Sequence, residues 1–379
     1  MIQKIFIGPG SIDSIDTILD NLKAKTALLI TGKNSYNSHS IDQKLSSTLL
    51  NMNITKFNDF SVNPKITDAV KGIKLLELIK PDIIIAIGGG SVIDMAKQIN
   101  ILSAQNLDDI ENIVQNQNLI QKPGIPLVAI PTTTGTGSES THFAVTYINK
   151  KKYSLAHKYM LPSYCIVDPI LSYTMPPKLT ASCGMDALTQ SVESYWSVNS
   201  TEESKRYARE SILLIIKNII NAVSGSEEAK NEMALAAHYS GKAINISKTT
   251  APHAISYPLS MYFNISHGHA VALTLGYFFT INSTLENVDI IDKRGKEYLS
   301  SNMYELFNLF SKKNGDDCKD FWYKLMHQIN LETNISKLGV RTNEDIDKIL
   351  ENVDPNRIRN NPVQIDKKII KNILKDLQV

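Results

Sequence analysis

Continuous apolar runs of strand length alternate with helix-like segments in the first half of the chain, and this alternation is the strongest constraint on the fold. The runs are residues 26–31 (TALLIT), 82–87 (DIIIAI) and 126–130 (PLVAI). Strands that lack polar alternation are covered on both faces, as in a parallel sheet. Residues 41–50 and 66–79 lie between these runs and have apolar residues at helical spacing. The pattern predicts a doubly wound α/β domain.

The pattern changes after Asp168-Pro169, where long helical stretches begin and strand signals become rare. A chain of 379 residues is longer than one hydrophobic core usually organises, so two domains are expected. We predict an α/β domain over residues 1–165 and an all-helical domain over residues 166–379.

Composition and charge indicate an ordinary globular protein. Hydrophobic residues make up 42% and charged residues 21%, which excludes the disordered and fibrous classes. The formal net charge is +2, and the densest basic run, Lys150 to Lys152, is too short for a nucleic-acid surface. No segment reaches the ~20 apolar residues of a membrane span, and the first residues, MIQKIFIGPG, do not resemble a secretory signal. We therefore expect a cytoplasmic protein without a nucleic-acid or membrane partner.

A glycine-rich turn, Gly88-Gly89-Gly90-Ser91, follows the DIIIAI run directly and opens the next helix. Residues without a Cβ let the backbone approach a ligand closely, and a helix N-terminus offers unpaired N–H groups to a phosphate. Ser91 with Asp94 three residues later also resembles a capping box, which is the structural alternative for these two side chains. The turn alone is equally consistent with a tight turn that binds nothing.

A second small, hydroxyl-rich loop, PTTTGTGSE (residues 131–139), follows the PLVAI run. Both loops are expected at the carboxyl edge of the sheet, where α/β folds bind ligands. Hydroxyls of Thr132, Thr133 and Thr136 can contact nicotinamide, ribose or phosphate. Two such loops favour a dinucleotide.

The residues that usually select the dinucleotide differ from the common pattern. The GxGxxG order is absent, and the TALLIT run ends in Thr31-Gly32-Lys33, without an acidic residue for the adenosine ribose. Because no carboxylate repels a 2′-phosphate and Lys33 is near, NADP(H) is a candidate beside NAD(H).

A candidate metal site lies in the second half. The three cysteines form no CxxC pair, so a metal is expected on His, Asp, Glu or amide oxygen. Asp186 and Gln190 are four residues apart on a predicted helix and face the same way, and His253 and His267 follow. A carboxylate and two imidazoles suit Fe(II) or Zn(II). A structural, hydrogen-bonded role is the alternative for each residue.

These motifs together resemble the iron-containing, group III alcohol dehydrogenases. The resemblance rests on GGGSVIDMAK, PTTTGTGSE, Asp168-Pro169, GMDAL (residues 184–188) and the segment from His253 to Gly268. It implies a dehydroquinate synthase-like fold, in which an N-terminal nucleotide-binding domain and an all-helical domain enclose cofactor and metal, and a homo-oligomer. Lys152 and Leu179 match family cofactor contacts by position. A surface lysine and a core leucine are the alternatives.

The resemblance also implies roles for the candidate site, with two departures. In the family one Asp and three His bind the metal, and Asp186, His253 and His267 match three of these positions. Gln190 replaces a histidine, and its amide oxygen is a weaker ligand than imidazole. Tyr257 replaces a further histidine linked to proton relay, for which water and the cofactor ribose are the other routes.

Three stretches, residues 193–204, 247–259 and 265–279, resemble the phosphonoacetaldehyde reductase branch of the family. That branch reduces phosphonoacetaldehyde to 2-hydroxyethylphosphonate with NAD(P)H. Lys248 is the candidate anchor for the dianionic head group, with a solvated loop lysine as the alternative. The rival functions are another short-chain dehydrogenase of the butanol, lactaldehyde or 4-hydroxybutyrate type, a dehydroquinate synthase-like enzyme, and a catalytically silent nucleotide-binding protein.

Overall fold

The computed structural model describes residues 2–33, 52–62, 64–105, 109–149, 151–286 and 288–379. The predicted helix over residues 41–50, and Lys150 of the basic run, lie outside this part. The described chain divides into two compact units, Met1–Met175 and Pro176–Val379. The predicted division after residue 165 falls inside a strand of the first unit, Tyr164–Val167, because the sheet continues past the last strongly apolar run of the sequence.

The first unit is an α/β domain built on a parallel sheet. Six strands of the described chain form this sheet in the order β1-β8-β5-β4-β2-β3, and β6 and β7 form a separate antiparallel hairpin. The strands are β1 (Lys4–Ile7), β2 (Thr26–Thr31), β3 (Asn53–Phe57), β4 (Ile83–Gly88), β5 (Leu127–Pro131), β6 (Phe143–Ile148), β7 (Lys151–Ala156) and β8 (Tyr164–Val167), and the helices are α1 (Ser14–Leu22), α2 (Ile66–Ile79), α3 (Gly90–Ser103) and α4 (Ile110–Gln115).

The apolar runs become central strands because both of their faces are covered. In β4, Ile84 packs into one hydrophobic cluster, whereas its neighbours Ile83 and Ile85 pack into another on the opposite face. Alternate side chains of a strand point to opposite faces, so a strand between two helical layers needs apolar residues at every position. The predicted doubly wound α/β architecture is confirmed, as is the predicted helix α2.

The second unit is helical, as predicted. One continuous hydrophobic cluster joins its helices. No helix in the described ranges has both the length and the apolarity needed to cross a membrane. The helices are α5 (Pro177–Trp196), α6 (Glu202–Val223), α7 (Glu227–Ser247), α8 (Ala251–Phe263), α9 (His267–Ser283), α10 (Gly295–Leu309), α11 (Gly315–Gln328), α12 (Asn343–Glu351), α13 (Pro355–Ile358) and α14 (Lys367–Asp376).

A buried lysine ties α3 to the threonine-rich loop (residues 131–139) and to the residues that follow it. The Lys97 ammonium donates hydrogen bonds to the hydroxyls of Ser138 (3.1 Å) and Thr141 (3.0 Å) and to the carbonyl of Phe143 (3.0 Å). Lys97 is only 1% exposed. Burial lowers its pKa to about 8, although Asp94 and Glu139 act in the opposite direction.

This pKa predicts a pH-dependent contribution of Lys97 to stability. In the folded state the ammonium loses its proton near pH 8, whereas an unfolded lysine keeps its proton to about pH 10.4. Because the unfolded state binds more protons in this window, stability rises with pH there. We expect the free energy of unfolding of the wild type, relative to Lys97→Met, to increase by about 2–3 kcal/mol between pH 7.5 and 10.5.

The measurement is urea denaturation of both proteins across that pH range. Lys74→Met, at an exposed position of α2, is the control for the methionine substitution itself. A difference between wild type and Lys97→Met that does not change with pH would contradict the prediction.

Candidate metal and dinucleotide sites

The glycine-rich turn connects β4 to α3. β4 ends at Gly88, and α3 begins at Gly90 with Gly89 as its N-cap, without a side-chain capping bond. The capping-box alternative for Ser91 and Asp94 is therefore wrong. Asp94 is engaged elsewhere, because its carboxylate accepts hydrogen bonds from the Ser138 hydroxyl (2.6 Å) and the Val145 N–H (2.9 Å).

The threonine-rich loop packs directly against this turn. The Thr132 N–H donates to the carbonyl of Gly88 (3.0 Å). A Cβ on Gly90 would lie 2.8 Å from Thr136 side-chain atoms, and a Cβ on Gly89 would lie 3.3 Å from the Thr133 hydroxyl. The close approach of the two loops at the N-terminus of α3 therefore depends on glycine. The structure brings together the turn and the threonines that the sequence indicated as dinucleotide contacts.

Two further candidate contacts have clear positions. Lys152 lies on β7, and its charge opposes the rise in the pKa of Asp94 that burial causes. Leu179 lies in the first turn of α5 and is 41% exposed, so its interpretation as a core leucine is wrong.

Lys33, near the end of β2, has a carboxylate beside it, which the sequence analysis did not anticipate. Gly32 follows β2 directly, and the Lys33 ammonium lies 3.5 Å from a carboxylate oxygen of Asp59. Lys71 approaches the other oxygen of Asp59 at 3.2 Å. Asp59, beyond β3, thus forms a largely exposed ion pair with Lys33, the lysine that made NADP(H) a candidate.

The candidate metal ligands converge in the second unit. Asp186 lies on α5, His253 on α8, and His267 is the first residue of α9. The Nε2 atoms of His253 and His267 lie 3.6 and 3.8 Å from Oδ1 of Asp186. This oxygen is buried and has no hydrogen-bond partner among the described residues. Donor atoms within 4.8 Å of one another fit a single ion, whose bonds to such ligands are about 2.0–2.2 Å long.

Glu193, which the sequence analysis did not single out, fixes the orientation of His253. Its Oε2 is hydrogen-bonded to Nδ1 of His253, and its Oε1 accepts hydrogen bonds from the N–H (2.9 Å) and hydroxyl (3.0 Å) of Thr250. A carboxylate on Nδ1 leaves Nε2 as the donor toward a metal. The signal was present, because Asp186, Gln190 and Glu193 are spaced at i, i+4 and i+7 on one helix face.

The electrostatics of the cluster suit a cation. Burial raises the pKa of Asp186, but His267 and His253 outweigh it and hold this pKa below its ordinary value. Burial lowers the pKa of His253, but Glu193 and Asp186 raise it to about 9. The carboxylate is therefore ionised, and the imidazole between two carboxylates is a strong base.

Gln190 lies one turn after Asp186 on α5 and influences its carboxylate. Its Oε1 accepts a hydrogen bond from the Ser240 hydroxyl (2.7 Å). A side-chain hydrogen bond from Gln190 contributes to lowering the pKa of Asp186.

The two candidate substrate residues have different positions. The Tyr257 ring is nearly parallel to the His267 imidazole, with centroids 6.1 Å apart and an interplanar angle of 12°. Lys248 is exposed at the end of α7, with a left-handed φ of 62°. The structure therefore places Tyr257 beside the candidate ligands and Lys248 on the surface.

Comparison with known proteins assigns the family. Residues 3–169 match the family described as iron-containing alcohol dehydrogenase, and residues 180–378 match the C-terminal domain of the Fe-containing alcohol dehydrogenase family. The chain belongs to the iron-containing alcohol dehydrogenase family. The resemblance inferred from the motifs is confirmed. The predicted enzyme class, an NAD(P)-dependent oxidoreductase that acts on alcohols or aldehydes, is confirmed with it.

Relatives of this alcohol dehydrogenase differ in substrate. Long-chain-alcohol dehydrogenase 1 of Geobacillus thermodenitrificans is 34% identical over 276 residues, 72% of this chain and 70% of the relative. Phosphonoacetaldehyde reductase of Streptomyces viridochromogenes is 34% identical over 242 residues, 61% of each chain. The crystal structure of sulfoacetaldehyde reductase from Bifidobacterium kashiwanohense in complex with NAD+ has a TM-score of 0.87 and 29% identity, covering 99% of this chain and 97% of that one.

Gly268 sets the distance between α5 and α9 next to a candidate ligand. A Cβ at Gly268 would lie 1.9 Å from the Ser182 carbonyl oxygen and 2.9 Å from Cβ of Asp186. We expect Gly268→Ala to push the helices apart, to destabilise the alcohol dehydrogenase by about 1–3 kcal/mol, and to weaken metal binding because His267 moves with the helix. Denaturation of chelator-treated protein and zinc calorimetry measure the two effects.

Gly276→Ala is the matched control on the same helix. Its Cβ would meet the Tyr323 ring at 2.7 Å, away from the candidate ligands. It should lower stability and leave zinc affinity unchanged. Equal zinc affinities for Gly268→Ala and Gly276→Ala would contradict the proposed link between helix spacing and the site.

Proposed function

We propose that this enzyme uses NAD(P)H to reduce phosphonoacetaldehyde to 2-hydroxyethylphosphonate, with a metal ion bound by Asp186, His253 and His267. The metal-dependent part of the proposal depends on one observation, the convergence of these three donors around a buried carboxylate oxygen that has no hydrogen-bond partner in the described part of the chain. An ion held by these three residues would supply positive charge to a carbonyl oxygen on which negative charge develops, and the nicotinamide would supply the hydride.

The protein's own groups position this chemistry. Glu193 keeps Nε2 of His253 directed at Oδ1 of Asp186, from which it lies 3.6 Å away. Tyr257, parallel to His267, is our candidate to deliver a proton to the alcohol oxygen, with water and the cofactor ribose as the other routes. Gly88, Gly89, Gly90 and Ser91, with the threonines packed on them, are proposed to bind the dinucleotide pyrophosphate through backbone N–H groups.

Two similarities support a substrate with an anionic head group. Phosphonoacetaldehyde reductase is among the curated relatives, and a sulfoacetaldehyde reductase is among the structures with the same fold. Both names describe two-carbon aldehydes that bear a strong acid. The second candidate is an uncharged aldehyde or alcohol, because the relative named for long-chain alcohols matches a larger share of the chain.

The experiment that tests the function is oxidation of NADPH and NADH by chelator-treated protein supplied with Fe(II) or Zn(II). Phosphonoacetaldehyde, sulfoacetaldehyde, butyraldehyde and lactaldehyde are compared at equal concentration. We expect turnover that requires metal and favours the phosphonate. Turnover of uncharged aldehydes alone would support the second candidate. The absence of turnover with every pair would overturn both candidates.

Removal of a candidate ligand should abolish this turnover. We expect His253→Ala and His267→Ala to lower kcat/KM by about a thousandfold or more and to lose stoichiometric metal, because two remaining donors bind an ion weakly. His327→Ala, at an exposed position of α11, is the matched control. Metal analysis and initial rates are the measurements, and full activity of either ligand variant would contradict the assignment.

We also propose that Gln190 orients Asp186 and is not itself a metal ligand. Its carbonyl oxygen is occupied by Ser240, and a hydrogen bond from Gln190 helps to lower the pKa of Asp186. Groups that orient a ligand typically account for about 10–100-fold in metal affinity. We expect Gln190→Ala and Ser240→Ala each to weaken zinc binding, and the double variant to be no weaker than Gln190→Ala.

The visible spectrum of the Co(II)-substituted protein distinguishes the two roles. An orienting role predicts the same ligand-field bands in wild type and Gln190→Ala, at reduced affinity. Loss or shift of those bands in Gln190→Ala, without any effect of Ser240→Ala, would identify Gln190 as a ligand.

A further inference from the structure

An arginine on the short helix α13 lies one aromatic ring away from a candidate metal ligand. The guanidinium carbon of Arg357 is 4.9 Å from the centroid of the Tyr257 ring. The same ring is nearly parallel to the imidazole of His267, 6.1 Å away. The order cation, phenol, imidazole therefore leads from α13 to the cluster of Asp186, His253 and His267.

The guanidinium of Arg357 is only partly engaged. Its Nε lies 4.0 Å from a carboxylate oxygen of Asp354, at the outer limit of an ion pair. The other oxygen of Asp354 caps α13 by accepting the Asn356 N–H (2.9 Å). Within the described ranges, no acceptor is hydrogen-bonded to the two terminal nitrogens of Arg357, and its side chain is 25% exposed. Donors that can bind two oxygens of an anion are thus available.

Lys248, the anchor expected from the sequence, is not stacked on a ring beside the candidate ligands. It is exposed at the end of α7. No contact in the described part of the chain joins its side chain to Tyr257 or to His267. A lysine in this position is a solvated point charge, whereas Arg357 is partly buried and held against a ring.

The chemistry of the head group favours arginine. A guanidinium binds phosphonate or sulfonate oxygens with two parallel hydrogen bonds, and stacking on an aromatic ring fixes its plane. In a two-carbon aldehyde the acidic group lies about 4 Å from the carbonyl oxygen. With its carbonyl beside His267, the substrate would extend past the edge of the Tyr257 ring, which lies 6.1 Å from the imidazole and 4.9 Å from the guanidinium carbon, and its head group would meet the guanidinium there.

We propose that Arg357, stacked on Tyr257, binds the anionic head group of the substrate and determines the preference for phosphonate or sulfonate aldehydes. This inference rests on the proposed function, since it names the residue that recognises the proposed substrate class. Arg357 is a binding residue for the head group, and the hydride and proton steps do not involve it.

The experiment compares kcat/KM for phosphonoacetaldehyde and for butyraldehyde in wild type, Arg357→Gln, Arg357→Lys and Lys248→Ala. A hydrogen-bonded charge pair is typically equivalent to a factor of about 10–100 in binding. We expect Arg357→Gln to lower the value for phosphonoacetaldehyde by that factor, mainly through KM, and to leave butyraldehyde unchanged. Arg357→Lys should recover part of the loss, and Lys248→Ala should resemble the wild type.

A second readout does not require turnover of the phosphonate. Ethylphosphonate has the head group without the carbonyl, and its inhibition constant against butyraldehyde reports anion binding directly. We expect this constant to rise at least tenfold in Arg357→Gln and to stay unchanged in Lys248→Ala.

The outcomes separate the two proposals. A wild type that prefers butyraldehyde overturns the phosphonate function, and the inhibition constants then decide the inference about Arg357. If Arg357→Gln changes neither the ratio of kcat/KM for phosphonoacetaldehyde to that for butyraldehyde nor the inhibition constant of ethylphosphonate, the inference about Arg357 is overturned and the proposed function is unaffected. If Lys248→Ala instead loses both the preference for phosphonoacetaldehyde and the inhibition by ethylphosphonate, the head group is bound by Lys248.

Discussion

The second unit depends on how two carboxylates are accommodated inside a helical core. Asp186 and Glu193 lie on the same face of α5, and both are buried. A buried charge is costly unless it is paired and hydrogen-bonded. His253 lies between them, with one ring nitrogen toward each, and Thr250 completes the bonds to Glu193. Among the described residues, the arrangement leaves one oxygen of Asp186 without a hydrogen-bond partner, and the proposed metal ion would compensate the charge there.

The rest of the site follows from this arrangement. Because His253 is fixed by Glu193, α8 has a defined rotation relative to α5, and Tyr257, one turn later on α8, is directed at His267. Gly268 allows α9 to approach α5 closely enough for His267 to reach Asp186. Ser240 on α7 donates a hydrogen bond to Gln190 on α5, the residue proposed to orient the carboxylate. A small set of polar contacts therefore aligns four helices around one oxygen atom.

The first unit uses polar contacts for a similar purpose at the end of its sheet. Lys97 and Asp94, both on α3, are hydrogen-bonded to Ser138 of the threonine-rich loop, and Asp94 also accepts the Val145 N–H. Because Ser138 contacts both side chains, the end of this loop is fixed against α3. The glycines of the turn then permit the loop to lie on the helix N-terminus. Some residues of the GGGSVIDMAK motif, which was interpreted as a dinucleotide-binding motif, therefore hold the threonine-rich loop in place.

The sequence by itself determined the fold class, the family and most of the candidate site, because these depend on patterns that are local in the chain. Unbroken apolar runs predict covered strands, and a motif such as GGGSVIDMAK fixes both the turn and the helix start. Glu193 was within reach of the same reasoning, since helical periodicity alone places it on the face of Asp186. Only the tertiary structure decided which side chains meet: the Ser240 hydroxyl on the amide oxygen of Gln190, Asp59 beside Lys33, and Arg357 over the Tyr257 ring. These pairs join residues that are remote in the chain or depend on the rotation of one side chain, and both are set by packing rather than by spacing in the sequence.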